Sequence, residues 1–304
     1  TSQNGGPLAG FRNQIINGDF SVWQRGTNSN TNSSGYLTAD RWFMLSNGST
    51  TQYTQLDASD EIPDAPCPYV LKFVPPGGTK TFPRQCIEVT PGTKGPFTSG
   101  SVWTLSWYSN RSGNVPAQPD EIECYFAENA TGVGNSVANT VGSVSNIGGN
   151  RYSCQVTITN AAVSSVIRCL RLDFTNPAVT DYQMTGVQLE PGPVATPFEQ
   201  RPIGTELALC QRYYQQYNFT NKDYQMIGPT VNTGGGNAVC MFPLQTQLRV
   251  PCIEATFSPA NTFRINGMGG SPADETVASI EMSPNHGAGI DVIGIQITFA
   301  TPRP

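Results

Sequence analysis

Histidine is nearly missing from this chain: 304 residues contain one, His286. It lies in Ser-Pro-Asn-His-Gly-Ala-Gly with no nucleophile pattern beside it, so a Ser-His-Asp mechanism or a zinc site would lack its usual parts. Lysine is almost as scarce, confined to Lys72, Lys80, Lys94 and Lys222, and the formal charge is -5. No basic stripe is left to neutralise a phosphate backbone, and nucleic acid is not expected as a partner. No run of about 18 apolar residues occurs, and the first ten residues do not follow the charged-then-apolar order of a signal peptide. The expectation is a protein neither inserted in a membrane nor secreted by that route. Gly234-Gly235-Gly236 is not followed by a Lys-Ser/Thr pair, so it reads as a turn, not a phosphate loop. No cofactor is expected.

Eight cysteines are present without a single Cys-x-x-Cys, most of them among alternating apolar residues. They read as reduced core thiols. If residues 160–164 form a hairpin turn, Cys154 and Cys169 fall opposite each other on adjacent strands, in contact as free thiols or bridged.

The 31 glycines and 24 prolines, against 13% charged residues, leave little room for long amphipathic helices. Short runs rich in Val, Ile, Thr and aromatics, bounded by turn residues, predict strands near 14–24, 38–45, 51–56, 68–75, 81–90, 101–109, 120–127, 151–160, 165–175 and 182–190. In 101–108, Trp103, Leu105 and Trp107 alternate with Val102, Thr104, Ser106 and Tyr108, the pattern of a half-buried antiparallel strand. Residues 129–150 read as a long loop or an edge hairpin. The proline-rich segment 190–202 cannot continue a sheet. Ile203, Leu207, Cys210 and Tyr214 then recur at helical spacing, with Thr205 as the N-cap.

The expected fold class is all-β: an extended N-terminal arm (1–13), a jelly-roll β-sandwich (14–192), a linker with a short helix (193–217) and a second, smaller β-sandwich domain (218–304).

Flat amphipathic rings suit the apolar faces of sugars. Of the first-domain aromatics, Trp107, Tyr108 and Tyr125 are the glycan-binding candidates. Trp23, Trp42 and Trp103 are expected in the core, and Asp40 with Arg41 is expected to form a pair that pins a strand end. A glycosidase would need two carboxyls across a bond, for which Asp120, Glu121 and Glu123 are the candidates, with solvated strand ends as the alternative. Asn17 and Asp19 place oxygens where a sandwich edge could hold calcium.

Several segments carry a resemblance in order and spacing: Leu8 to Asn13, Ile16 to Phe20, Trp23 to Gly26, Ala39 to Trp42, Thr185 to Pro191, Ala195 to Glu199 and Cys210 to Tyr214. Together they resemble bacteriophage tail-fibre and virion-appendage proteins over about the first 215 residues. The stretch Asn17 to Phe20 is also similar to the first strand of jelly-roll carbohydrate-binding modules, in which calcium often bridges first and last strands. Here the last strand offers Thr185-Gly186-Val187 without the usual carboxylate, which weakens that implication.

The resemblance implies a non-enzymatic virion protein, assembled in the host cytoplasm, commonly trimeric. Its arm would anchor to other virion proteins through Leu8 and Phe11, and its sandwich would bind a host-surface polysaccharide. Alternatives are a capsid or tail decoration protein without external ligand, and a tailspike-like enzyme degrading polysaccharide.

Overall fold

The computed structural model describes residues 11–46, 50–74, 81–89, 95–111, 119, 121–128, 137–159, 169–175 and 181–216, with short strands at 2–3, 6–7 and 115–116. In the C-terminal part it describes 230–234, 237–249, 264–265, 275–282 and 292–299. The chain forms two compact units, Thr1–Cys210 and Gln211–Pro304.

The first unit's strands are β1 (Ser2–Gln3), β2 (Gly6–Pro7), β3 (Asn28–Thr31), β4 (Trp42–Ser46), β5 (Thr51–Asp57), β6 (Tyr69–Val74), β7 (Thr81–Glu88) and β8 (Val102–Arg111). They continue with β9 (Val115–Pro116), β10 (Glu121–Ala127), β11 (Val137–Ala138), β12 (Thr140–Val141), β13 (Ser145–Gly148), β14 (Arg151–Thr157), β15 (Cys169–Thr175) and β16 (Tyr182–Pro191). Helices α1 (Ala58–Glu61) and α2 (Ile203–Gln211) complete it.

Two antiparallel sheets form a sandwich, one in the order β11-β10-β15-β7-β4 and the other in the order β12-β14-β8-β16-β6-β5-β3, with β13 also paired to β14 and β9 to the end of β8. From β6 onward the main strands alternate between sheets, so successive strands face each other across the core, as in a jelly roll. The inner faces enclose one continuous apolar cluster that includes Trp42, Leu105, Trp107, Phe126, Leu172, Phe174 and Tyr182. Each such side chain contributes about 1.5–3 kcal/mol on burial. In β10 and β14 burial alternates residue by residue, as the sequence pattern requires.

Strand β8 departs from the half-buried expectation, because all its residues from Trp103 to Asn110 are buried. Its outer face is covered twice. Around α1, Ala58, Ile62 and Val70 pack with Tyr108, and Asn110 Nδ2 donates to the Glu61 carbonyl. Further along, the segment after β16 folds back over the sheet. Glu190 accepts from Thr196 N at 2.8 Å, Glu199 N donates to Gln188 Oε1 at 2.7 Å, and Thr104 Oγ1 donates to the Gly192 carbonyl at 2.6 Å. The proline-rich stretch expected as a linker is therefore the cover of the central strands. The polar residues Gln183, Gln188 and Glu190 are buried beneath covers that supply hydrogen bonds, and buried Thr185 donates to the Tyr69 carbonyl of β6.

No strand forms over 14–24. Asn17 (φ 58°) and Phe20 (φ 53°) take left-handed backbone around a Gly18-Asp19 turn. Asn-Gly is a turn signal, and it outweighs the apolar alternation on either side. The segment still docks on β16, with Gln14 N bonded to the Leu189 carbonyl at 2.9 Å and Val187 N to the Gly18 carbonyl at 2.9 Å. This approach requires glycine, since a Cβ on residue 18 would lie 2.2 Å from the Val187 oxygen. Asn13, assigned to the arm from sequence, is buried and accepts from Ile15 N and Leu189 N.

Two further expectations change. Cys154 lies on β14 opposite Leu105, whereas Cys169 lies on β15 of the other sheet opposite Ala127 and Glu88. They are unbridged thiols on different layers of the sandwich. Helix α2 begins two residues before Thr205, and the Pro202 carbonyl accepts from the amides of Thr205 and Glu206. Thr205 is thus inside the first turn and not its cap. Ile203 is 60% exposed, while Glu206 and Cys210 face the sandwich. Residues 137–148 hold three short edge strands on or near β10 and β14.

The second unit contains β17 (Thr230–Gly234), β18 (Asn237–Pro243), β19 (Arg264–Ile265), β20 (Glu275–Met282) and β21 (Val292–Phe299). They pair antiparallel in the order β17-β18-β21-β20-β19. The chain is all-β with two short helices, α1 and α2, among its described residues.

Candidate functional site

On β10, β15, β7 and β4, the residues that do not face the core share the outer face of the five-stranded sheet. Backbone register sets them in rows. Tyr125 pairs with Arg171 and Arg171 with Cys86. In the next row Glu123 pairs with Asp173, Asp173 with Arg84, and Arg84 with Phe43. Side chains opposite one another on adjacent strands lie about 5 Å apart, so this face brings together aromatic, acidic and guanidinium groups from four strands.

The centre is Asp173, 1% exposed, between Arg84 Nε and Arg171 Nε, each at 3.1 Å. Burial raises the Asp173 pKa and the two guanidiniums oppose that rise. The same burial lowers the pKa of Arg84, against the pull of Asp173. Arg171 is 5% exposed, and its guanidinium carbon lies 4.9 Å from the centroid of the Tyr125 ring. The Tyr125 hydroxyl donates to Glu123 Oε1. That bond, followed by burial, pushes the phenol pKa up to about 12. The ring is therefore fixed at its face by Arg171 and at its hydroxyl by Glu123, and remains partly exposed itself. Toward β4, Tyr36 packs edge-on against Phe43 with centroids 5.4 Å apart, and 37% of Tyr36 is exposed.

This arrangement offers a partly exposed aromatic ring surrounded by hydrogen-bonding groups held in fixed positions. Such a ring can stack against the apolar face of a ring-shaped ligand, with Glu121 and Glu123 as the carboxylates within its reach and the arginine-aspartate cluster enclosed as support.

Of the three glycan-binding candidates, Tyr125 lies on this face. Trp107 does not. It is fully buried, stacked on Tyr152 with centroids 6.1 Å apart, and its Nε1 donates to Ser109 Oγ at 3.1 Å. Its position on the inner side of β8 withholds it from any ligand. Tyr108 is on the outer side of β8 but is buried against Ala58, Ile62 and Val70. Gly186 explains part of that fit, because it has φ +58° at a bulge and a Cβ there would meet Tyr108 Cδ2 at 2.9 Å. A glycine stands where a carboxylate was expected because the backbone and the neighbouring ring demand it.

The expected Asp40–Arg41 pair is replaced by two separate contacts. Asp40 bonds Arg25 at 3.0 Å and the Gln24 amide at 2.7 Å, closing the loop at 23–26. Arg41, at φ 72°, donates from a guanidinium nitrogen to the Cys86 carbonyl at 2.5 Å. Trp42 is fully buried and Trp23 packs against the core from a partly exposed position. Phe11 is half exposed beneath the Arg201 guanidinium, 4.8 Å away, and Leu8 lies outside the described residues. Glu121 is exposed on the same strand face as Glu123; Asp120 and His286 lie outside the described residues.

Asn17 is not available as a metal ligand. Its side chain donates to the carbonyls of Val22 at 2.8 Å and Asp40 at 3.0 Å and accepts from Val22 N at 2.9 Å. Asp19 Oδ1 accepts from the amide and hydroxyl of Ser21. Among the described residues no group of three or more His, Cys, Asp or Glu side chains is arranged to hold a metal ion.

Arg84, Arg171, Asp173, Tyr36 and Phe43 were missed by sequence reasoning. A signal for some of them was present, since Glu121, Glu123 and Tyr125, and likewise Arg171 and Asp173, recur at period two opposite the apolar positions of their strands.

No protein-family model matches the chain, and no curated protein matches it. Solved structures similar to it include the CBM22-1 xylan-binding domain of Paenibacillus barcinonensis Xyn10C, at 10% identity and TM-score 0.32, covering 55% of this chain and 94% of that one. An apo-form cyclase from Fischerella sp. is similar at 13% identity and TM-score 0.34, over 60% of this chain and 96% of that one. TmCBM61, solved with β-1,4-galactotriose, is similar at 14% identity and TM-score 0.24, over 60% of this chain and all of the other. Likeness this distant carries no argument about ligand or activity.

Proposed function

We propose that this is a non-enzymatic carbohydrate-binding protein whose ligand lies on the outer face of the five-stranded sheet. The observation that carries this reading is the Tyr125 ring, laid against Arg171 and tied to Glu123, beside the Arg84–Asp173 pair. A sugar ring stacks on the partly exposed aromatic ring, and its hydroxyls meet the carboxylates of Glu121 and Glu123 on the same strand face, while the enclosed Arg171, Asp173 and Arg84 hold the ring from beneath. Glu121 and Glu123 project from one face of one strand, and Glu123 is engaged by Tyr125, so they serve binding better than cleavage across a glycosidic bond.

At the level of the particle, we propose a phage virion appendage that binds a host-surface polysaccharide, a reading supported by the order of the sequence motifs from Leu8 to Tyr214. The test is a glycan array probed with the full chain and with Tyr125→Ala. Saturable binding by the native chain, lost in Tyr125→Ala, is expected. Absence of binding, or binding equal in both, would overturn the assignment of the site. Imaging phage particles labelled for this chain tests the virion role, with label at the tail expected.

A further inference from the structure

We infer that Glu123 is a positioning residue for ligand stacking, holding the Tyr125 ring in its binding orientation without needing to touch the ligand itself. This rests on the carbohydrate-binding reading of the same face.

Three observations converge. First, Glu123 and Tyr125 are two apart on β10, so they project to the same side, and the tyrosine hydroxyl donates to Glu123 Oε1. Second, Tyr125 pairs in register with Arg171, whose guanidinium lies 4.9 Å from the ring centroid and is itself enclosed. Third, Arg171 is held by Asp173 at 3.1 Å, and Asp173 by Arg84 at 3.1 Å. The ring is thus anchored at two points to groups that are themselves anchored. A partly exposed tyrosine without the hydroxyl tether samples several side-chain rotamers and must lose that freedom on binding. Fixing it beforehand removes the loss, which is the general benefit of preorganisation.

The test compares Tyr125→Phe, Glu123→Ala, Glu123→Gln and Tyr125→Ala in the full chain against a panel of soluble neutral and acidic polysaccharides by affinity electrophoresis, with tyrosine-ring NMR as a second readout. Tyr125→Phe keeps the ring and loses the tether; Glu123→Gln keeps an acceptor oxygen. Expected are an affinity loss of about fivefold to tenfold in Tyr125→Phe and Glu123→Ala, retention within about twofold in Glu123→Gln, and near-complete loss in Tyr125→Ala. In the NMR titration the Tyr125 resonance of Glu123→Ala should ionise at lower pH than in the native chain, where it is held up at about 12. If Tyr125→Phe and Glu123→Ala bind as well as the native chain while Tyr125→Ala fails, the positioning role is overturned and the binding site stands. If the native chain binds nothing in the panel, or Tyr125→Ala binds normally, both are overturned.

Discussion

Replacing Asn17 with alanine should strongly destabilise the first unit. Asn17 is fully buried, and three hydrogen bonds of 2.8 to 3.0 Å tie its side chain to Val22 N, the Val22 carbonyl and the Asp40 carbonyl. Each is worth about 1 kcal/mol net, more where the abandoned partner stays buried. Alanine at φ 58° adds about 1 kcal/mol of left-handed strain. The sum is about 4–6 kcal/mol, a large part of the roughly 5–15 kcal/mol that holds a domain together. At about 2–4 °C per kcal/mol for a unit of this size, the melting temperature should fall by about 10–20 °C. All four tryptophans lie at or before Trp107, so tryptophan fluorescence reports on the first unit alone. The order of variants sharpens the test. Asn17→Gly keeps the backbone relaxed and should be the mildest. Asn17→Asp retains the acceptor but points a carboxylate at two carbonyls, and should be at least as harmful as alanine. An alanine variant melting within about 3 °C of the native chain, or an aspartate variant milder than glycine, would refute this account.

Other expectations follow from the same geometry. Gly18→Ala should abolish cooperative melting of the first unit or lower its melting temperature strongly, because the Val187 oxygen 2.2 Å from the added carbon is backbone and cannot swing away; a native-like melt would contradict this. Trp107→Ala should cost about 3–5 kcal/mol of stability by leaving a cavity between the sheets, whereas Tyr125→Ala should alter the denaturation midpoint little; equal effects would refute the division into core and surface aromatics. Asp40 and Asp173 both have raised pKa values, burial being the largest cause in each. The folded state then takes up protons before the unfolded chain does, so these groups add stability as pH falls through their folded pKa values, with the gain complete below 3.8, the unfolded value. The melting temperature should hold or rise as pH falls toward 3.8, and a steady decline on the way there would count against the assignment.

Much of the architecture was legible from local pattern. Nine of the ten predicted strand segments coincide with observed strands to within a few residues, because period-two burial is a property of the strand itself. The exception was 14–24, where two left-handed residues, Asn17 and Phe20, break a pattern that composition alone favours. Inner and outer faces were also separable by alternation, so Glu123 and Tyr125 could be placed together from sequence.

What alternation does not encode is which face meets what. Trp107 and Tyr125 have similar strand contexts, yet one faces the opposing sheet and the other the outside. Tyr108 faces outward from β8 and is nevertheless buried, since α1 happens to cover it. The sequence by itself determined the all-β class, the strands and the alternation of their side chains, all of which depend on neighbours a few residues apart. Only the tertiary structure decided that Tyr125, Arg171, Asp173 and Arg84 form one surface, that Cys154 and Cys169 lie on opposite layers, and that Asn17 fastens a loop. Strand order and cover are set by contacts between residues distant in the chain, and no local spacing carries that information.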